Sequence, residues 1–465
     1  MNFDPLTTTA TALQQLLKEG AITSVQAIER YLLQIEQHNH ALNAFISLAP
    51  QQKLLGRAAA LDEERQAGRS RGPFHGIPID CFLTSHELGM PTTAGSWAFL
   101  EARATNSSGI VRKLMDAGMI ILGKTNMTEF CGMKMMNSPG RSAVAGQTLS
   151  PYVGAIEDED SILGHSSPGG SSTGSAVAVA AGFSPLAIGT ETIGSIMTPS
   201  SRAALYAIKP TTGRQDTSGM YRMTEFFDSY GPMAKSPADV ASLLEIMLGR
   251  SFQTHTPASK WEDLAVGFVN PNVWKLSPEM CKQKQGTLEQ MVDDYAAMIF
   301  TLKNDGCAVT YPIELQECSV LAIDGQDAIT PIAYWEFKHI GLPKFVEAFD
   351  KCPVTSLEDL IRFNKDHAEQ AMPPREFCPL KHILDEIYEK EKINLIAAPV
   401  DSPFCIYAAA AGYPLGHVPL GQLRYNGRPF GLCLMARADG EEMLLRFMSS
   451  YEASVPPRPV PKLSR

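Results

Sequence analysis

Two serine-bearing runs stand out when the chain is read for side chains able to do chemistry. The first, SSPGGSSTGSAVAV over residues 166–179, places Ser171 and Ser172 after paired glycines and before a small-residue stretch. A glycine- and serine-rich loop opening a helix lets backbone N–H groups and hydroxyls crowd around an anion or a carbonyl oxygen. The second run, GTETIGSIMTP, is centred on Ser195, 24 residues beyond Ser171. A phosphate cradle needs G-K-[ST] after its glycines; Thr173, Gly174 and Ser175 stand there instead, which excludes it. Gly170-Ser171-Ser172-Thr173-Gly174 fits a G-x-S-x-G elbow with Ser172 as nucleophile. That elbow needs a strand immediately before it, and EDEDSILGHSSP does not read as one.

The elements around these runs alternate between helix and strand. Residues 9–38 read as two amphipathic helices, with Ser24 as N-cap of the second, and a third helix spans about 50–67. FHGIPIDCFL reads as a buried strand, SSGIVRKLMDAG as a helix feeding the strand MIILGKTN, and PLAIGTE as a strand entering the second serine run. The polar stretch 136–175 is too irregular for the core, and loops of that length are uncommon unless functional. Further on, LAVGFV, EMCKQKQGTLEQMVDDYAAMIFTLKNDG and CAVTYPIEL read as strand, helix and strand. Residues 322–392 read as helical and peripheral. Helices on both sides of a mixed sheet are the economical α/β reading.

Composition narrows the partners. Forty Lys+Arg against fifty Asp+Glu give a net charge of −10, which argues against nucleic acid or an anionic membrane. No secretory signal or membrane span is legible, and nine scattered cysteines without a C-x-x-C point to reduced thiols in the cytoplasm. No histidine or cysteine spacing suits a metal, so neither metal nor cofactor is expected. The expected partner is a small-molecule substrate, with a homodimer left open.

Several ordered blocks carry a resemblance. GIPI, GMPTTAGS, ILGKTNMTEF, PGGSSTGSAVAVAAG, GTETIGSI, IKPTTGR, GPMAKSPADV and NGRPFGLCLMA resemble the amidase signature family over nearly the whole chain. TSLEDLIRFN and AAAAGYPLGHVPLG look most like fungal members. The resemblance implies one amidase-signature domain over 1–465, a mixed sheet covered by helices, and a helical cap at about 250–390. In that family a Ser-Ser-Lys triad cleaves amides. Carried over, Ser195 matches the nucleophile and Ser171 the bridging serine after a cis peptide bond. The N–H groups of Thr192, Ile193 and Gly194 match the oxyanion hole. A neutral lysine would take a proton through the bridging hydroxyl while the serine attacks.

The lysine is missing. Its block reads Gly76-Ile77-Pro78-Ile79-Asp80-Cys81-Phe82-Leu83, the alignment needs no gap, and the lysine's position is Phe82. No lysine occurs between Lys53 and Lys113, so shifting the register cannot supply one. Ile193 and Met197 also depart from the family pattern. Phe82, Cys81, Gly170, Ser172 and Met197 are expected to line a reshaped apolar pocket. Asp80 shares strand parity with Phe82 and is a candidate acid or base, as are His165 and His86. A satisfied loop histidine is the plainer reading of each. Cys81 is favoured as an inert thiol, Asp228 as structural, and Lys124 as an ordinary family residue. The expectation is an enzyme that has lost amide hydrolysis and promotes a non-hydrolytic step on a small apolar carbonyl compound. Residual hydrolysis by Ser195 with a substitute base, or ligand binding without catalysis, are the alternatives.

Overall fold

A computed structural model describes residues 3–463 apart from 83–87, 135–137, 158–159, 253–260, 317–321, 324–325, 328, 368–386 and 389. His86 and Leu83 therefore lie outside the described residues. The centre is an eight-stranded mixed sheet. In chain order its strands are β1 (Leu186–Glu191), β2 (Tyr206–Lys209), β3 (Ser229–Ala234) and β4 (Ala265–Phe268), then β5 (Ala308–Thr310), β6 (Leu395–Pro399), β7 (Leu415–Gln422) and β8 (Pro429–Met435). Across the sheet they run β5-β4-β6-β8-β7-β2-β3-β1. β4 pairs in parallel with β5 and β6, and the remaining pairings are antiparallel. Buried strands in such a sheet read as nearly continuous apolar runs, and β8, PFGLCLM, is buried throughout.

Helices cover the sheet because their apolar faces have nowhere else to go. The helix Thr173–Ala180 is buried at every residue, having only small and β-branched side chains. It lies so close to its neighbour that a Cβ at Gly174 would stand 2.4 Å from the Ala44 carbonyl. Ser24 is not the N-cap of its helix. Thr23 is, in a reciprocal capping box with Gln26, while the Ser24 amide donates to Asp62.

FHGIPIDCFL forms less strand than its composition suggests. Only Pro78–Ile79 pair, in parallel with Ile120–Ile121, and Asp80 adds one bridge to Ala187 of β1. The helix expected from Glu279 begins only at Thr287, because Gly286 adopts a left-handed φ of 76° just before it. The boundaries of the expected cap also change. β4 and β5, at 265–268 and 308–310, are strands of the main sheet, paired to each other and, through β4, to β6, so that stretch is not a cap. The helices at Ile329–Glu336, Leu342–Val346 and Leu357–Asp366 form the peripheral layer. It is pinned by an aromatic cluster of Phe99, Phe130, Phe337, Phe345 and Phe349.

Candidate active site

β1 ends at Glu191, and the chain then turns through Thr192–Ser195 into a short helix, Met197–Arg202. The turn requires glycine at 194, where φ is +75°. Buried Glu191 organises it by accepting the amides of Ile196 at 2.7 Å and Met197 at 3.0 Å. Burial pushes its carboxyl upward, while these bonds and Lys209 hold it down. The Gly194 amide also leans on Glu191. Among the described residues the amides of Thr192, Ile193 and Ser195 have no acceptor. Three such donors around a serine are what a carbonyl oxygen needs when it gains negative charge. Of the expected donors, Thr192 and Ile193 are therefore open, Gly194 is turned to Glu191, and the amide of Ser195 is open instead.

The first serine run lies against this turn. The Ser172 amide donates to the Ser195 carbonyl at 3.1 Å, which holds the two loops together. The Gly170–Ser171 peptide is cis, and the Ser171 carbonyl accepts the Thr128 amide at 3.0 Å. A Cβ at Gly170 would come within 2.5 Å of the Thr128 hydroxyl, so only glycine fits there. Ser171 is buried, and its hydroxyl has no hydrogen-bond partner; the thiol of Cys131 lies beside it. No hydrogen bond joins it to the Ser195 hydroxyl. Ser172 serves the scaffold: its hydroxyl donates to the Thr190 carbonyl at 2.9 Å and accepts the Thr190 amide at 3.0 Å. That pairing fills its capacity and removes it from the expected ligand-binding set.

Phe82, Cys81 and Met197 are buried in core clusters, 9%, 1% and 0% exposed, and are closed to solvent. Asp80 is fully buried, with its backbone tied to Leu186 and Ile188 and neither carboxylate oxygen bonded. Burial alone pushes its carboxyl far above the usual range, so at neutral pH it is an uncharged acid and a poor base. His165 belongs elsewhere. Its Nε2 lies 3.3 Å from the Thr287 hydroxyl and its ring faces Tyr425. Burial, then Arg428, push it down to about 4. It neighbours a buried ion cluster in which Asp401 accepts from Arg202 at 2.5 Å and Arg428 at 2.9 Å. Its hydrogen bonds run to Thr287 and Asn426, away from the serine pair. Lys124 donates to Thr92 at 2.5 Å, and burial lowers it to about 7.

Two residues beside the serines escaped the sequence reading. Cys131 lies against Ser171 and Thr190 because Phe130 and Cys131 both take left-handed φ values of 50° and 57°. Nothing in TNMTEFCGM signals that bend. Glu191 could have been suspected as an acid ending an apolar strand.

The sequence profile of the amidase family matches residues 26–297, more than half of the chain. The chain belongs to the amidase family. It is 28% identical to a probable amidase of Arabidopsis thaliana, over 96% of this chain and 89% of that protein. It is 27% identical to a putative amidase of the fungus Arthroderma benhamiae, over 97% of this chain and 82% of that protein. The native peptide amidase of Stenotrophomonas maltophilia superposes with a TM-score of 0.81 at 28% identity, covering 98% of this chain and 99% of its own. A sterile alpha motif (SAM) domain profile also matches residues 337–389 of this amidase-family chain. The described part of that stretch packs through Phe337, Phe345 and Phe349 into the amidase fold. Among the described residues, no three His, Cys, Asp or Glu side chains are grouped to hold a metal ion. No described helix is long and apolar enough to cross a membrane.

Proposed function

We propose that this amidase-family protein binds a small, apolar carbonyl- or amide-containing molecule and promotes a non-hydrolytic step such as cyclisation or isomerisation. On this reading the Ser-Ser-Lys route of amide cleavage has been given up. The observation that carries it is the pairing of Phe82, buried where the lysine is expected, with a Ser171 hydroxyl that has only the Cys131 thiol beside it and no base bonded to it. A relay needs a base bonded to that hydroxyl. The three open amides of Thr192, Ile193 and Ser195 still suit polarisation of a carbonyl. Removing the base while keeping the donors leaves a site that activates a carbonyl without activating a nucleophile.

Benzamide hydrolysis under excess enzyme tests this. The wild type is expected at background, and Phe82→Lys is expected to gain roughly 10²–10⁴-fold. A parent that hydrolyses benzamide as fast as the variant overturns the reading of position 82. A thermal melt shows whether the introduced lysine is tolerated. Rapid stoichiometric labelling of Ser195 by a fluorophosphonate would instead favour a surviving serine hydrolase. A retained metabolite that is never converted would favour binding alone.

A further inference from the structure

Asp228 stands immediately before β3, level with the point where β1 gives way to the serine turn. In the β1–β3 ladder Glu191 faces Ser229, so Thr192 and Asp228 come next to each other as the strands end. The Thr192 hydroxyl donates to Asp228 Oδ1 at 2.6 Å. The other oxygen, Oδ2, accepts the amides of Met223 at 2.6 Å and Thr224 at 3.2 Å. The next two amides of the same loop, those of Glu225 and Phe226, go to Glu336 Oε2 at 3.1 and 3.4 Å. Four consecutive N–H groups are thus divided between two carboxylates, partly buried Asp228 at the serine turn and Glu336 on the helix Ile329–Glu336. The loop is clamped from that side as well: a Cβ at Gly341 would stand 2.3 Å from the Arg222 carbonyl.

We infer that Asp228 is a positioning residue of the carbonyl-binding turn, fixing the Thr192 side chain and with it the direction of the Thr192 and Ile193 amides. This rests on reading Thr192–Ser195 as a carbonyl site. Without the carboxylate, the Thr192 hydroxyl has no partner and the first peptide of the turn loses its anchor at the sheet's end. Ionised, Asp228 accepts from all three donors, whereas a protonated Oδ1 would donate to the Thr192 hydroxyl and reverse that bond. The charged and titratable groups that face Asp228 are Arg222, Lys209, Cys131 and Tyr221. Burial, opposed by the bonds from Thr192 and the loop, pushes Asp228 up to about 6. Between the unfolded carboxyl's usual range and that value, the folded state binds more protons, so for this group acid favours folding. A loss of binding as the pH falls through 6 would therefore not be loss of the fold through this group.

Benzamide, which the wild type is expected to bind without cleaving, is the probe: its carbonyl oxygen would accept the open amides of Thr192, Ile193 and Ser195. Titration calorimetry is expected to give a tenfold or greater loss of affinity in Asp228→Asn and in Thr192→Val, as for a bond to a charged acceptor. The double variant should bind no more weakly than Asp228→Asn alone. Thr192→Ser, which keeps the hydroxyl, should recover most of the loss. The step in affinity near pH 6 should be present in the wild type and absent from Asp228→Asn. Wild-type affinity in both single variants, or losses that multiply in the double, overturn the role of Asp228 while leaving the carbonyl site standing. A wild type that does not bind benzamide at all overturns the carbonyl site and the inference with it. Should Asp228→Asn fail to fold, the Thr192→Val and Thr192→Ser pair decides.

Discussion

On the Thr192–Ser195 side of the serine pair, the carboxylates are occupied: buried Glu191 holds the amides of Ile196 and Met197, and partly buried Asp228 holds Thr192, Met223 and Thr224. On the Gly76–Phe82 side, Asp80 is as deeply buried and bonds to nothing, and Phe82 contributes only apolar surface. Both sides take an acid out of water, but only the first offsets that cost through hydrogen bonds. The difference teaches where selection for geometry has persisted. The serine turn is anchored through its carboxylates, whereas the Gly76–Phe82 segment carries an acid with no bonded partner.

The comparison can be broken by substitution. The largest stability effect is expected from Glu191→Ala, which strands two buried amides. Urea unfolding should show a loss of about 3 kcal/mol, together with loss of benzamide binding. A neutral result would mean that the turn does not depend on its carboxylate. Asp80→Leu should do the opposite and stabilise the protein by about 2 kcal/mol, because a partnerless buried carboxyl is replaced by an apolar group. The folded Asp80 carboxyl is raised, so the folded state holds a proton that the unfolded state has released. Stability of the wild type should accordingly fall as the pH rises above the usual carboxyl range, and Asp80→Leu should flatten that fall. A destabilised Asp80→Leu would show that the acid has a use. Ser172→Ala, which deletes the brace to Thr190, should cost about 1 kcal/mol in the same measurement. Smallest of all, Ser171→Ala should shift stability by less than about 0.5 kcal/mol, since its hydroxyl makes no bond to lose.

Much of the fold was legible because it rests on local pattern. PLAIGTE, LAVGFV and CAVTYPIEL all supply strands of the main sheet, and the small-residue helix after the first serine run formed where its composition places it. Ser171 and Ser195 were legible as a pair from two separated motifs. What local pattern could not give was placement. Parity put Asp80 and Phe82 on one face, but it could not tell a solvated carboxylate from a dry one. His165 stands six residues from Ser171, yet its partners Thr287 and Tyr425 come from distant segments that no spacing reveals. Ser172 fitted a nucleophile elbow by type, while its actual work is set by Thr190 across the loop. LAVGFV and CAVTYPIEL were legible as strands, but that their residues 265–268 and 308–310 belong to the main sheet depends on pairing with distant β6, which no local pattern reveals.

The order of the sheet has a mechanical consequence. The strands that carry the serine turn and its anchors, β1, β2 and β3, sit together at one end, and a single ladder joins them to the other five. That ladder has three residue pairs, Leu415 with Lys209, Gly416 with Ile208 and His417 with Ala207. Tension along the hydrogen-bonded direction of the sheet therefore passes through these three pairs alone, and a slip of register there would carry the end that bears the serine turn as one plate.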